Sequence, residues 1–362
     1  MVYDATDPDP NRRYKSALPP NCMAVSPDGV HWTGLETTVP NMDAFTLAFY
    51  EAKHQFLVPA RYMDRYGRCI RLSTSFDFTS WTDHGVVFGT DERDQQMARQ
   101  RIERHLADPD LADPEFHRPE DYNAQVYRMG IFGYEGIYIG LPMMFFRSAK
   151  VPKDWDGFDE MELSPEVQRL VRTHGDWTGV FEVQLTYSRD LLKWHRLGDR
   201  QPFIGPASTG NGAYDTLCIS DPGYPILRGD ELWFYYSGIK TYAMASLDKK
   251  DQGAVCLAVL RRDGFLSLDA DKQGGHLLTA PFQLEGRKLF VNHLTSRKGA
   301  LQIKVLDTQG QLLASSEVMR GDHTRAEVKW ANGNLVEQKG KMVQLRFDLQ
   351  QASLYSYWTG RD

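Results

Sequence analysis

Three copies of one turn constrain this chain more than any other feature. Ser26, Asp28 and Trp32 form the first (SPDGVHW), Ser75, Asp77 and Trp81 the second (SFDFTSW), and Ser188, Asp190 and Trp194 the third (SRDLLKW). In each, the Asp follows the Ser by two residues and the Trp follows it by six. A fixed turn that closes successive strand hairpins marks a repeated all-β unit. The Asp suits an Asx-turn on its own backbone, and the Trp suits packing between units. Asp28, Asp77 and Asp190 are therefore expected to be structural.

The stretches between these turns alternate as strands do. AFTLAFYEA and QFLVPARY, after Asn41–Asp43, form a hairpin, and RCIRLSTS adds a third strand that ends in the second turn. Trp81–Phe88 supplies a fourth, giving an antiparallel unit of about 50 residues, the size of a propeller blade. Tyr122–Asn123 opens the next unit, and Tyr214–Asp215 the last, with its hairpin turning at Gly229–Asp230 and Gly274–Pro281 as its outer strand. Two stretches break the rhythm. Residues 91–121 contain a charged surface helix at Glu92–Leu106, and residues 150–177 contain a helix at Ser164–Thr173 with Ser164 as N-cap and Pro165 in the first turn. From Phe282 shorter strands recur without the turn, as in a β-sandwich. The expected division is 1–281 for the repeated sheets and 282–362 for the sandwich.

Composition narrows the partners. A net charge of −6 argues against nucleic acid, because phosphate binding needs clustered Lys and Arg. No apolar run is long enough for a membrane span. The four cysteines form no CxxC pair, and Cys69, Cys218 and Cys256 sit in apolar strand patterns that suit buried free thiols. There is no GxSxG elbow, P-loop or HExxH motif, and no EF-hand loop. His174 and His293 are isolated and read as structural.

The SxDxxxW turns, hairpins such as GDELWFYYSG, and the order of repeated sheets followed by a sandwich resemble the five-bladed β-propeller glycoside hydrolases, the clan of families 32 and 43 and their uncharacterised relatives. The resemblance covers nearly the whole chain. It implies an all-β chain, a β-propeller followed by a C-terminal β-sandwich, that cleaves a terminal glycosidic bond in an oligo- or polysaccharide. It requires no cofactor, though a structural Ca²⁺ or Na⁺ ion in the channel is compatible with it. The chain also departs from the pattern. The clan's first blade usually brings an Asp in an Asn-Asp-Pro context, and no such strand is legible before residue 10. Counting units gives three and a fraction, so the propeller is expected to be incomplete at its N-terminal side. An edge left open in this way would favour a homodimer. No signal-peptide pattern is legible in the residues before the repeats. The expected location is thus cytoplasmic, or secreted or periplasmic if the N-terminus is shortened.

Glycosidic cleavage commonly uses two carboxyl groups flanking the bond. Asp43 and Asp215 open their units. By position, the resemblance implies that Asp43 stabilises the transition state and Asp215 acts as acid or base; the alternative for each is a turn residue. Glu182 lies within an apolar strand, where a carboxylate is either functional or paired with an Arg. Asp221, before Pro222, reads mainly as a turn. Tyr122 and Asn123 are candidates to bond sugar hydroxyls. Arg61 and Arg71 are candidates to bind a carboxylate, from the protein or from an acidic sugar. Trp177 and Tyr242 are candidate stacking platforms on loops. Two other functions fit the same residues. One is a non-catalytic carbohydrate-binding propeller. The other is a glycoside phosphorylase, with Arg replacing one carboxylate at a phosphate site. A WD-repeat scaffold lacks its Gly-His and Trp-Asp signatures here.

Overall fold

The structure, a computed structural model, describes residues 1–18, 22–37, 39, 43–161, 163–241 and 250–360. Tyr242 lies outside the described residues. The chain is mostly β and falls into two compact units: Met1–Pro225 with Phe234–Ala258, and Ile226–Trp233 with Val259–Asp362.

The first unit is a succession of antiparallel sheets. Sheet one is β1 (Val2–Tyr3), β2 (Tyr14–Leu18), β3 (Cys22–Ser26) and β4 (Thr33–Leu35), in that order. Sheet two is β5 (Ala48–Tyr50), β6 (Gln55–Asp64), β7 (Gly67–Ser75) and β8 (Thr82–Phe88). After α1 (Glu92–Leu106), sheet three opens with β9 (Asn123–Tyr134) and β10 (Ile137–Val151). Two short helices follow, α2 (Gly157–Glu160) and α3 (Pro165–His174). Then β11 (Asp176–Val183) and β12 (Thr186–Ser188) share the edge of β10 opposite β9, and β13 (Trp194–Arg196) pairs with β12. Beyond them lie β14 (Cys218–Ser220), β15 (Ile226–Arg228), β16 (Glu231–Ile239) and β17 (Gly253–Arg261). In the first unit β14 pairs with Ser237–Ile239 of β16, and in the second β15 pairs with Glu231–Trp233.

The opening sheet corrects the expected fraction of a unit. It is a complete four-stranded sheet. Its first strand has only two residues, too few to show a periodicity. Buried Lys15 secures the segment that follows, donating to Asp4 at 3.2 Å and Asp7 at 2.8 Å.

Each sheet packs on the next through apolar faces. Met23 and Val25 meet Phe56, Val58 and Phe78. Leu57, Ile70 and Leu72 meet Ala124, Val126 and Ile131, and Phe145 and Phe181 meet Cys218. The repeated turns hold their hairpins as expected. In all three the Ser hydroxyl lies 3.0–3.1 Å from the Asp Oδ1, which also accepts two backbone N–H groups. Trp32 and Trp194 donate from Nε1 to the carbonyls of Gly29 and Leu191. Asp28, Asp77 and Asp190 all have lowered pKa values, and Asp77 reaches about 2 because backbone and side-chain donors outweigh its burial. The four cysteines are free; Cys69 and Cys218 are buried, while Cys22 and Cys256 are half-exposed.

The second unit centres on two strands of 19 residues each, β21 (Lys288–Leu306) and β25 (Met342–Gly360). Around them lie β18 (Leu268–Ala270), β19 (Gly275–Leu278), β20 (Phe282–Gln283), β22 (Leu312–Ser316), β23 (Asp322–Glu327) and β24 (Trp330–Asn332). Alternate residues, among them Leu301, Ile303, Val305, Leu345, Phe347 and Leu349, fill one core. The segment Gly274–Pro281, expected as the outer strand of the last repeated sheet, instead gives β19, which pairs with Arg346–Leu349 of β25. Its local pattern suits a strand in either place, and the partner decides. Among the described residues, no helix is long and apolar enough to cross a membrane.

Candidate active site

The first strands of three of the sheets and the segment after β14 line a cavity of about 670 Å³. Its wall is contributed by Val2–Tyr3 of β1, Thr46–Ala52 around β5, Gly130, Ile131 and Gly133 of β9, and Asp221–Tyr224 after β14. Much of it is apolar or aromatic, with few polar side chains, as in ligand pockets generally. Two glycines let the walls approach. A Cβ on Gly130 would lie 2.8 Å from the Pro222 carbonyl oxygen, and one on Gly133 would run into the Tyr50 ring.

Asp221 is the distinctive group. Its backbone is left-handed, with φ of 53°, a conformation that costs most residues about 1 kcal/mol but that Asp tolerates. Its Oδ2 accepts from Ser220 Oγ at 2.8 Å and from Arg128 Nη1. Its Oδ1 is enclosed and has no hydrogen-bond partner among the described residues; Arg128 Nε is in the same state. A buried polar atom left unpaired costs about 1–3 kcal/mol, so such a pair beside a cavity marks a place for a polar ligand or ordered water.

Arg128 and Tyr127 are neighbours on β9, and Tyr127 connects to the next carboxylate. The Arg61 guanidinium stacks 4.8 Å from the Tyr127 ring centroid. It donates from Nε and Nη2 to Asp43 Oδ2 at 3.0 and 2.7 Å. Asp43 is mostly exposed. It opens the run that enters the cavity at Thr46, whose hydroxyl bonds the Met129 carbonyl at 3.2 Å.

Farther toward the start of β9, Arg68 donates to Gln125 Oε1 at 2.6 Å, Gln125 donates to Asn123 Oδ1 at 3.0 Å, and Asn123 donates to the Tyr66 carbonyl at 3.0 Å. Trp177 belongs here too. It lies within strand β11, where a loop was expected, with Arg68, Arg147 and Lys150 around its ring. Asp43, Arg61, Asn123 and Trp177 thus belong to one neighbourhood along β9. The residues that join them, Arg68, Gln125, Tyr127 and Arg128, gave no local signal in the sequence.

The other candidates lie elsewhere. Glu182 is 6% exposed. Arg101 of α1 grips both its oxygens, at 2.6 and 2.7 Å, and Gln184 adds a bond at 2.8 Å. Burial pushes its carboxyl up, opposed by the Arg101 charge. Arg71 is paired with Asp83 and stacks on Tyr62. Tyr122 lies against Arg99 of α1. Asp215 accepts from Tyr236 OH at 2.7 Å, and burial together with that bond raises the Tyr236 pKa. Among the described residues, no three His, Cys, Asp or Glu side chains gather in a way that could hold a metal ion.

No protein-family model matches the chain, and no curated protein is significantly similar to it. Solved structures do resemble it. One is the β-1,2-mannobiose phosphorylase from Listeria innocua bound to β-1,2-mannobiose, with a TM-score of 0.37 and 14% identity over 90% of this chain and 65% of that chain. Another comes from the GH130 family of mannoside phosphorylases, which contains glycoside hydrolases that target β-1,2-mannosidic linkages; its TM-score is 0.33 and its identity 14%, over 66% of this chain and 55% of that one. A third is the GH32 β-fructofuranosidase from Bombyx mori, with a TM-score of 0.34 and 8% identity over 94% of this chain and 84% of that one. These neighbours are propeller glycoside-processing proteins, the group that the sequence resembles. The chain spans less than two thirds of the length of the first two. At such identities and TM-scores these likenesses assign no residue role and no substrate here.

Proposed function

We propose that the chain cleaves a glycosidic bond of an oligosaccharide lying along β9, with Asp221 and Asp43 as the working carboxylates. The reading takes the successive sheets as blades of a five-bladed type of propeller, and the second unit as a sandwich. The observation that carries it is the Asp221 Oδ1 atom, enclosed beside the cavity with no partner among the described residues. Glycosidic cleavage needs a carboxyl oxygen able to pass a proton to or from the bridging oxygen or the attacking water. Asp221 has that oxygen, and Arg128 fixes its other one. Asp43, clamped by Arg61, supplies fixed negative charge toward the positive centre that develops on the sugar ring. Asp215 accepts from the Tyr236 hydroxyl and is carried as a third carboxylate to be tested. Both oxygens of Glu182 are occupied by Arg101, and it takes no chemical role in this reading.

Phosphorolysis is the second reading. Arg128 favours it, because Nε has no partner among the described residues and the guanidinium adjoins the cavity wall at Asp221. A phosphate there would replace one carboxylate's function.

The test is a mass-spectrometric screen against natural oligosaccharides, with and without phosphate, run beside Asp221→Asn, Asp43→Asn and Asp215→Asn. Release of a monosaccharide by the parent supports hydrolysis, and release of a sugar phosphate supports phosphorolysis. Loss of the general acid–base group should lower kcat by about 10²–10⁴-fold in Asp221→Asn at unchanged Tm. Full activity in that variant removes the assignment. Binding without turnover by the parent leaves a carbohydrate-binding protein in place of an enzyme.

A further inference from the structure

Trp177 was expected to offer its face to a sugar. Its surroundings indicate something else. The charged ends of Arg147, Lys150 and Arg68 lie 5.0, 5.4 and 5.9 Å from its ring centroid. Cations favour an indole face, but three on one ring repel one another. Arg147 donates from Nε and Nη2 to the Asp121 backbone carbonyl at 3.1 and 3.0 Å. Its Nη1 has no acceptor among the described residues, and neither does the exposed Lys150 ammonium. The neighbouring Asp121 carboxylate is engaged by Arg118 at 2.6 Å and by the Lys150 backbone N–H at 3.4 Å. Burial pushes the Arg147 pKa down; the nearby Asp121 charge opposes that push, and the Arg68 charge adds to it. In a chain of net charge −6, three cations gather on one ring here, and the carboxylate that acts on Arg147, that of Asp121, is itself paired with Arg118.

We propose that Arg68, Arg147 and Lys150, assembled on Trp177, form a subsite for an anionic substituent of the glycan, a uronate carboxylate. Guanidinium groups present several donors in a plane and suit the two oxygens of a carboxylate, while the ammonium adds a point charge. The indole beneath fixes the cations and excludes water from one side. The subsite also lies in line with the cavity. Arg147 pairs with Asn123 at the start of β9, and Arg128 is five residues farther along that strand, about 16 Å at the usual rise. An oligosaccharide of a few residues covers that distance, passing Tyr127 on the way. The sugar at the β9 start is thereby selected for charge, and the bond near Asp221 is cleaved. This inference rests on the reading of the chain as acting on glycans.

The experiment measures binding by calorimetry and Trp fluorescence. The probes are galacturonate and glucuronate oligosaccharides and the same oligosaccharides methyl-esterified. The parent should bind at least one free acid about 10-fold or more tighter than its ester, with a preference that declines as salt rises. Arg147→Gln and Lys150→Gln should each reduce the preference and together abolish it, while ester binding is unchanged. Lys150→Gln alters only an exposed side chain, so the test survives if Arg147→Gln fails to fold. Equal binding of acid and ester by the parent, or a preference that persists in Lys150→Gln and in the double variant, overturns the subsite and leaves the glycan reading standing. Absence of binding to acidic and neutral oligosaccharides alike, with no turnover in the screen, overturns both.

Discussion

Two carboxylates in the first unit show how differently one chemical group can be used. Glu182 is closed in by Arg101 and Gln184. It adjoins a second ionic knot in which Asp94 receives Arg196 and Arg200, and Asp91 both caps α1 and binds Arg200. Asp221 has one oxygen held by Ser220 and Arg128 and the other unpartnered among the described residues. Burial alone does not distinguish a site from a brace, since both carboxylates have enclosed atoms. The number of bonding positions already filled does. A saturated carboxylate ties elements together, whereas one with a spare oxygen beside a cavity can do chemistry.

The sharpest way to break this contrast is to unbalance the brace. Arg101→Ala strands a buried charge on Glu182 and should cost about 3–5 kcal/mol of stability, seen as a large fall in Tm. Replacing both partners by Met and Leu should recover most of that loss. If Arg101→Ala keeps the parental Tm, Glu182 is not a brace and its place among the catalytic candidates reopens.

His293 extends the comparison to the second unit. It is fully buried, and neither ring nitrogen has a hydrogen-bond partner among the described residues. Burial, then the nearby His323, lowers its pKa from 6.5 to about 4. The folded state therefore holds the ring neutral, while the unfolded chain takes up a proton below about pH 6.5. Stability from this group is complete above that pH and declines as pH falls toward 4, by about 3 kcal/mol in all. Denaturation curves between pH 7 and 4 should show the decline, and His293→Phe should flatten it. An equally steep decline in the variant would place the pH sensitivity elsewhere.

Smaller effects belong to groups whose bonds water can replace. Asp77→Ala removes the acceptor at the centre of the second repeated turn and should cost about 1 kcal/mol. In the parent, the depressed Asp77 pKa means this contribution is present above pH 3.8 and lost as pH falls through about 2. Arg71→Ala breaks a partly exposed pair with Asp83 and should shift stability by no more than about 1 kcal/mol. A larger effect on glycan binding than on Tm would return Arg71 to the list of ligand-binding residues.

The sequence disclosed what is written locally. The Ser–Asp–Trp turns state their own geometry, the charged stretch of α1 reads as a surface helix, and α3 shows its cap at Ser164. In the structure Asp91 forms the α1 capping box and Ser164 caps α3. Strand β1 was invisible because two residues carry no pattern. Segment 274–281 looked like a blade strand because pairing partners are not encoded in a strand's own alternation. The need for a partner at Glu182 was legible, but not that the partner lies 81 residues earlier on a helix. Asp221 read as a turn residue because Asp before Pro usually is one. Its strained φ and its place in the cavity wall arise from tertiary packing, as does the role of Arg128.

The capping of α1 has a consequence for handling the protein. A charged helix and an acidic loop between two sheets look like an open target for proteases. Yet Gln95 bonds both backbone groups of Ala124, Ala98 and Ile102 are buried in the core shared by sheets two and three, and Asp91 and Asp94 are bolted to Arg200. The helix is thus a fixed wall of sheet three. Limited digestion should spare Glu92–Leu106 and cut the exposed stretch after it, leaving two fragments that stay together until denatured.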